Sequence, residues 1–237
     1  MKITRALAVA ALAGALAGAA APSAGPQTVS ASYNVYTRGV HIAVMDETYE
    51  ASDGKYRLVS QTKGVGVVGL LHRDTIRFVS EGAVTPAGLQ PRRFEGKRGD
   101  NDPKRVAGEL DWAAGRLTLE HHGRTETLPL PRGTQDRLSV LYQTMFAAPD
   151  KSRVMEVSMT NGRKLDRYRY SVEPGVEIDT PLGRLETVHL VKQREPNESA
   201  AELWLSPRHR YLPVRMVVVE KNGSRYEQVA TRLEIKP

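Results

Sequence analysis

Val229-Ala230-Thr231-Arg232-Leu233-Glu234-Ile235-Lys236 places Val229, Thr231, Leu233 and Ile235 on one side of an extended chain and Ala230, Arg232, Glu234 and Lys236 on the other. A period of two is the period of a strand, and here it describes a strand with one apolar and one wet face. Leu165-Asp166-Arg167-Tyr168-Arg169-Tyr170 repeats the pattern, with Arg167 and Arg169 opposite Tyr168 and Tyr170. Outward from these two segments, from Ser32 on, short runs rich in Val, Thr, Tyr and Ile are separated every ten residues or so by Gly, Asn and Asp. Turns are expected at Ser52-Asp53-Gly54, Ala113-Ala114-Gly115, His122-Gly123, Asn161-Gly162 and Asn222-Gly223. The Asn-Gly pairs are the strongest signals, because tight hairpin turns need positive φ at both central positions. Evenly spaced short strands with such turns predict an all-β sandwich or barrel.

Two segments depart from alternation. Val214–Val219 is apolar at every position but Arg215, and Leu203-Trp204-Leu205 is apolar throughout. Strands of this kind are covered on both faces. Only Asp136–Phe146 reads as helical, with Leu138, Leu141, Tyr142 and Met145 at helical spacing, Thr134 placed to cap it and Pro149 beyond its end. Its apolar stripe is expected to cover the open face of the sheet, with Arg137 and Gln143 toward the opposite side. The fold predicted is mainly β: a single-domain curved antiparallel sheet closing into an open β-barrel, with one short α-helix packed against it, over residues 29–237.

Lys2 and Arg5 precede Ala6–Ala21, a stretch of Ala, Leu, Val and Gly only. A basic start, a short apolar run and small residues after it predict a secretory signal peptide over residues 1–20, cleaved near Ala19 or Ala20 and at latest at Ala24. The protein is therefore expected in the periplasm, and not as a lipoprotein, since the sequence of 237 residues has no cysteine. The same absence excludes disulfides, thiol nucleophiles and thiolate metal sites. The net charge of +7 includes Lys2 and Arg5. Arg92, Arg93, Lys97, Arg98, Lys104 and Arg105, diluted by Glu95, Asp100 and Asp102, read as a solvated loop, the alternative being attraction to anionic lipid or polysaccharide at an envelope surface. No nucleic-acid partner and no membrane-spanning segment in the mature chain are expected.

Gly64, Gly66 and Gly69 spell G-x-G-x-x-G. A dinucleotide site needs that motif between a strand and a helix. Here valines and leucines surround the glycines, and an apolar hairpin or lip of the sheet is expected instead. The histidines lack ligand spacing, His121 and His122 pointing to opposite faces of a strand, and no metal is expected. Glu177 and Asp179 share a strand face but sit in a surface turn, and Ser139 lacks the G-x-S-x-G elbow. No nucleophile, base and orienter assemble, so the sequence predicts no enzyme and no cofactor. Asp136, or Glu177 with Asp179, would be the acid and base of an enzyme acting on envelope polymers.

Three stretches resemble a bacterial exported family, domain of unknown function 3108. Tyr33–Val40 resembles its opening strand and Gln135–Tyr142 its single helix. The third is Asp179–Thr187, then Leu203–Ser206, then Leu212–Met216. The resemblance implies a periplasmic curved antiparallel sheet, with kinship in shape to the open barrels that carry lipoproteins, and brings no catalytic residues. The function expected is that of a cell-envelope protein binding a lipid or acylated ligand in a half-barrel groove. Tyr142, Met145, Trp204, Met216 and Val218 are the expected groove lining, and Arg208 and Arg215 the expected headgroup contacts. The alternative is a structural protein that binds an envelope protein partner through a sheet edge or the basic loop.

Overall fold

The structure, a computed structural model, describes residues 26–71, 74–99, 102–149 and 153–237. The expected signal peptide and cleavage site lie outside the described residues. The first part of the chain is a meander of β1 (Thr28–Thr37), β2 (Val40–Ser52), β3 (Lys55–Gly64), β4 (Ile76–Thr85), β5 (Gly88–Arg98), β6 (Val106–Asp111), β7 (Arg116–His121) and β8 (Arg124–Pro129). After the two-residue β9 (Gln135–Asp136), a second meander runs through β10 (Val154–Thr160), β11 (Leu165–Thr180), β12 (Gly183–Gln193), β13 (Ala200–Ser206), β14 (Leu212–Val219) and β15 (Arg225–Lys236). All belong to one sheet ordered β8-β7-β6-β5-β4-β3-β2-β1-β15-β14-β13-β12-β11-β10-β9. The first and last strands thus pair at its centre. Every ladder is antiparallel except the short β9–β10 one. Turns fall at the expected places, and Asp53-Gly54 and His122-Gly123 have positive φ at both positions, as tight hairpin turns require. At Asn161-Gly162 and Asn222-Gly223 only the glycine has positive φ, because these pairs sit in longer loops between Thr160 and Leu165 and between Val219 and Arg225.

The sheet is mainly β and open. Hydrogen bonds do not join β8 to β9, but side chains bring the two ends together. Phe94, Val106, Leu110, Leu117 and Leu119 from β5–β7 form one core cluster with Leu128 from β8, Leu130 just after it and Leu165 from β11. Gly162, in the β10–β11 turn, lies so close that a Cβ there would stand 2.7 Å from Val106 Cβ. The ring is closed by packing rather than by a ladder.

The alternation of β15 breaks where the sequence gives no sign of it. A bulge at Thr231 leaves Ser32 opposite Arg232 and Tyr33 opposite Ala230. Ala230, fully buried, therefore joins the face of Leu233 and Ile235, while Val229 turns to the other face. Doubly covered strands are found where expected: adjacent Leu203, Trp204 and Leu205 are all buried, as are Val214 and Val217.

Two helices accompany the sheet. The shorter-than-expected α2 (Ser139–Gln143) starts three residues late. Asp136 Oδ1 accepts the backbone N–H groups of Leu138 (2.8 Å) and Ser139 (2.9 Å), so the chain turns into the helix only there. Gln135 and Asp136 remain extended and pair with Met159 and Thr160. The helix spans the ring. Leu138 and Tyr142 pack on Val29, Tyr49, Tyr56 and Leu58, with Met145 beside them, and Leu141 reaches the Val188, Leu190 and Leu205 cluster. Thr144 Oγ1 donates to Tyr211 O at 3.0 Å and Gln143 Oε1 accepts the Leu89 N–H at 2.7 Å. One expectation about α2 is thereby corrected: Gln143 is fixed to the β4–β5 end. Arg137 is exposed, as expected, with its guanidinium over the Phe78 ring at 4.2 Å. The other helix, α1 (Gly66–Leu71), replaces the hairpin expected at the glycine-rich segment.

Candidate ligand-binding site

The strand directions give the barrel two ends. The helix α2 occupies the end of the β4–β5 turn and the β13–β14 connection, through its bonds to Ala87, Leu89 and Tyr211. At the other end, between the β5–β6 connection and the β10–β11 and β14–β15 turns, lies a cavity of about 690 Å³. Ile76, Phe78 and Val106 supply its apolar wall, and Lys97, Arg98, Lys104, Arg137 and Arg163 its cations. Asp102 and Glu220 are its carboxylates. Asp102 is already committed: its oxygens accept the backbone N–H groups of Arg98 (2.7 Å) and Lys104 (2.8 Å), and these bonds hold its carboxyl below the usual range.

Arg137 forms the floor. Its guanidinium is walled by protein yet keeps a solvent-accessible face toward the cavity. Burial pulls its pKa down and Arg163 adds repulsion, while Asp136, Glu220 and Glu47 pull the other way. An arginine stays charged under all such influences, so this one supplies a fixed cation. Among the described residues, neither Arg137 nor Arg163 is in a salt bridge.

Beneath the floor is a buried polar layer. Ser80 Oγ donates to Asp136 Oδ2 at 2.5 Å and also bonds Tyr56 OH at 2.9 Å. Tyr142 OH donates to Glu47 Oε2 at 3.1 Å. Burial pushes Glu47 up to about 7, against the hydrogen bonds from Tyr142 and Ser60. Burial raises Asp136 as well. Asp136 is occupied in capping α2. Glu177 pairs instead with Arg184, at 2.6 Å on the surface. A second cavity, of about 710 Å³, lies between the α2 segment and edge strand β10, lined by Val140, Ala147, Ala148, Met155 and Val157 among others.

The residues expected to line a groove are not brought together. Tyr142 and Met145 are on the packed side of α2. Met216 pairs with Leu203, and Trp204 with Arg215, so Trp204 and Met216 point to opposite faces. Trp204 stacks on His189 with ring centroids 4.3 Å apart, and the Arg215 guanidinium lies 4.9 Å from its centroid on the way to Glu227. Val218 is half-buried opposite Tyr226 and Ala201. Arg208 is exposed in the 3-10 turn Pro207–His209, at the α2 end. None of these seven lines either large cavity. The basic run is also divided. Arg92 and Arg93 belong to β5 rather than to a loop, whereas Lys97, Arg98 and Lys104 reach the mouth. Arg137 and Arg163 were not legible as partners of these residues, being about 40 and 65 positions away along the chain.

Among the described residues no group of three or more His, Asp or Glu is placed to hold a metal. Nor is any helix among them long and apolar enough to cross a membrane.

An open, packing-closed ring of antiparallel strands around an internal helix defines a β-barrel-like protein. The chain belongs to the DUF3108 family of proteins of unknown function, whose family model matches residues 32–230. In structure it is similar to the β-barrel-like protein of domain of unknown function DUF1849 from Brucella abortus, with a TM-score of 0.56 and 10% identity, covering 90% of this chain and 99% of that one. It also matches a protein from Bacteroides fragilis provisionally described as exported, with a YmcC-like fold (TM-score 0.38, 12% identity, 87% of this chain and 95% of that one). A third match is a chain from Parabacteroides distasonis provisionally described as a lipoprotein (TM-score 0.31, 13% identity, 90% and 97% covered). The likeness to the first of these is one of fold alone. No curated protein matches the sequence.

Proposed function

We propose that this is a non-enzymatic periplasmic protein of the cell envelope that binds a lipid or acylated ligand with an acidic head. One observation carries the reading: the mouth cavity combines the cations Arg98, Lys104, Arg137 and Arg163 with the apolar wall Ile76, Phe78 and Val106. An anionic head meets donors that protein carboxylates leave available, and the first segments of an apolar tail meet the wall. The site is thus a mouth rather than the half-barrel groove of Trp204, Met216 and Val218, since the interior on the other side of Arg137 is filled by α2.

Isothermal titration with lysophosphatidylglycerol, below its micellar concentration, tests this. The mature chain should bind it and should not bind lysophosphatidylcholine. Arg137→Ala and Arg163→Ala should each weaken binding about tenfold or more, since hydrogen bonds to a charged group contribute about 1.5–3 kcal/mol. Absence of heat with the native protein, or equal affinity for both lipids, would sink the proposal.

A further inference from the structure

The six residues of α1, Gly-Val-Val-Gly-Leu-Leu, carry no charge, and none of them is buried. Val67 is 71% exposed, and Leu70 and Leu71 are each 73% exposed. The arrangement is built rather than loose. Gly69 packs closely on Gly64: a Cβ on Gly69 would stand 2.5 Å from the Gly64 carbonyl oxygen, and one on Gly64 would crowd the Gly69 backbone at 3.1 Å. The Val65 N–H donates to Ile42 O at 2.9 Å, which sets the start of α1 two residues from Val40, itself 62% exposed. Exposed apolar side chains scattered singly are ordinary, but a cluster of this size in one place marks a contact surface.

The cluster lies at the mouth end. The segment after α1 is tied to the end of β5 by the Gly99 N–H, which donates to Thr75 O at 3.2 Å, and Ile76 already lines the mouth cavity. Arg98, at the end of β5, and Lys104, on the β5–β6 connection, line the same cavity as Ile76, and Lys63 directly precedes Gly64. Uncharged apolar side chains projecting from a rim of lysine and arginine match an anionic bilayer surface: the side chains enter the acyl boundary and the cations face the headgroups.

We infer that α1, with Val40, is a membrane-docking tip that seats the mouth of the barrel on an anionic lipid bilayer. This goes beyond the ligand reading and stands without it. Docking is reversible, because a few apolar side chains give only weak anchorage, and it weakens with ionic strength as the cations are screened.

Co-sedimentation of the mature chain with vesicles of phosphatidylethanolamine and phosphatidylglycerol is the test, with phosphatidylcholine vesicles as control. The native chain should sediment with the anionic vesicles alone. The double variant Leu70→Ser/Leu71→Ser should partition at least about tenfold less while keeping its melting temperature, since it alters only exposed apolar side chains. Arg137→Ala, which tests the cavity, should still sediment. A separate variant, Leu70→Trp, should show a blue-shifted emission on anionic vesicles, giving a readout even if the double variant folds poorly. The inference is overturned if the native chain stays in the supernatant, if the double variant sediments as well as native, or if Leu70→Trp emission does not move. It is equally overturned if light scattering shows that the leucines hold two copies of the chain together.

Discussion

Glu47 shows how far one residue can depart from its pattern. In Glu47-Thr48-Tyr49-Glu50 nothing distinguishes the first glutamate from the last. Yet Glu47 is 3% exposed on the inner face, opposite Ala31 and Ser60, whereas Glu50 is solvated. Burial raises its pKa from 4.5 to about 7. Between those values the folded protein holds a proton that the unfolded chain has released. The stability Glu47 contributes is therefore complete below pH 4.5 and lost as pH rises through 7, a change on the order of 3 kcal/mol. Asp136, also raised by burial, acts with the same sign. Thermal denaturation should accordingly give a lower melting temperature at pH 8 than at pH 5. Glu47→Gln should flatten that slope and gain its advantage at pH 8; an unchanged slope would mean that Glu47 is not the buried acid described.

At the scale of elements, the β10–β11 turn does what a hydrogen-bond ladder does elsewhere in the sheet. Gly162 has φ +90° and touches Val106 and Phe94 across the seam. Gly162→Ala meets two obstacles: a backbone conformation that alanine avoids and a Cβ with no space. A loss of about 2–4 kcal/mol in urea unfolding is expected. Gly223→Ala, at φ +82° in the β14–β15 turn with nothing within 4 Å, should show the backbone cost alone, about 1 kcal/mol. Equal losses at the two sites would show that the seam is not packed. Strands and turns of this kind were legible in the sequence because alternation and Asn-Gly pairs are local. What was not legible is non-local or short. The Thr231 bulge depends on the ladder with β1. The six-residue α1 is too brief for a period. The mouth cavity gathers side chains from five separate parts of the chain, and its existence follows from topology that no segment encodes.

Taken as a whole, the molecule has a strong middle and two weak margins. The strands β2, β1, β15 and β14 are each paired on both sides, while β8 and the two-residue β9, which covers β10 only at Met159 and Thr160, end the sheet. Protection should follow that order. In hydrogen–deuterium exchange the amides of β1 and β2 should be the last to exchange, and those of β8 among the first, because edge amides open without global unfolding. Protection of β8 equal to that of β1 would indicate a closed ladder in place of the packed seam. The same margins offer the unpaired backbone that an envelope partner could use by strand addition, which is the specific observation behind the alternative reading.

The central β1–β15 ladder carries a kinetic consequence. Its bonds tie Thr28 to Lys236, so the loop that must close spans almost the whole described chain. Each half-sheet can zip hairpin by hairpin as neighbours meet, but the halves are joined only by the final strand. Until Arg225–Lys236 is available, β1 and β14 each present a bare edge, and the chain has two incomplete halves instead of one ring. High contact order makes the joining slow, in milliseconds to seconds where helical bundles take microseconds. A polypeptide of this design cannot complete its ring until its last residues are free.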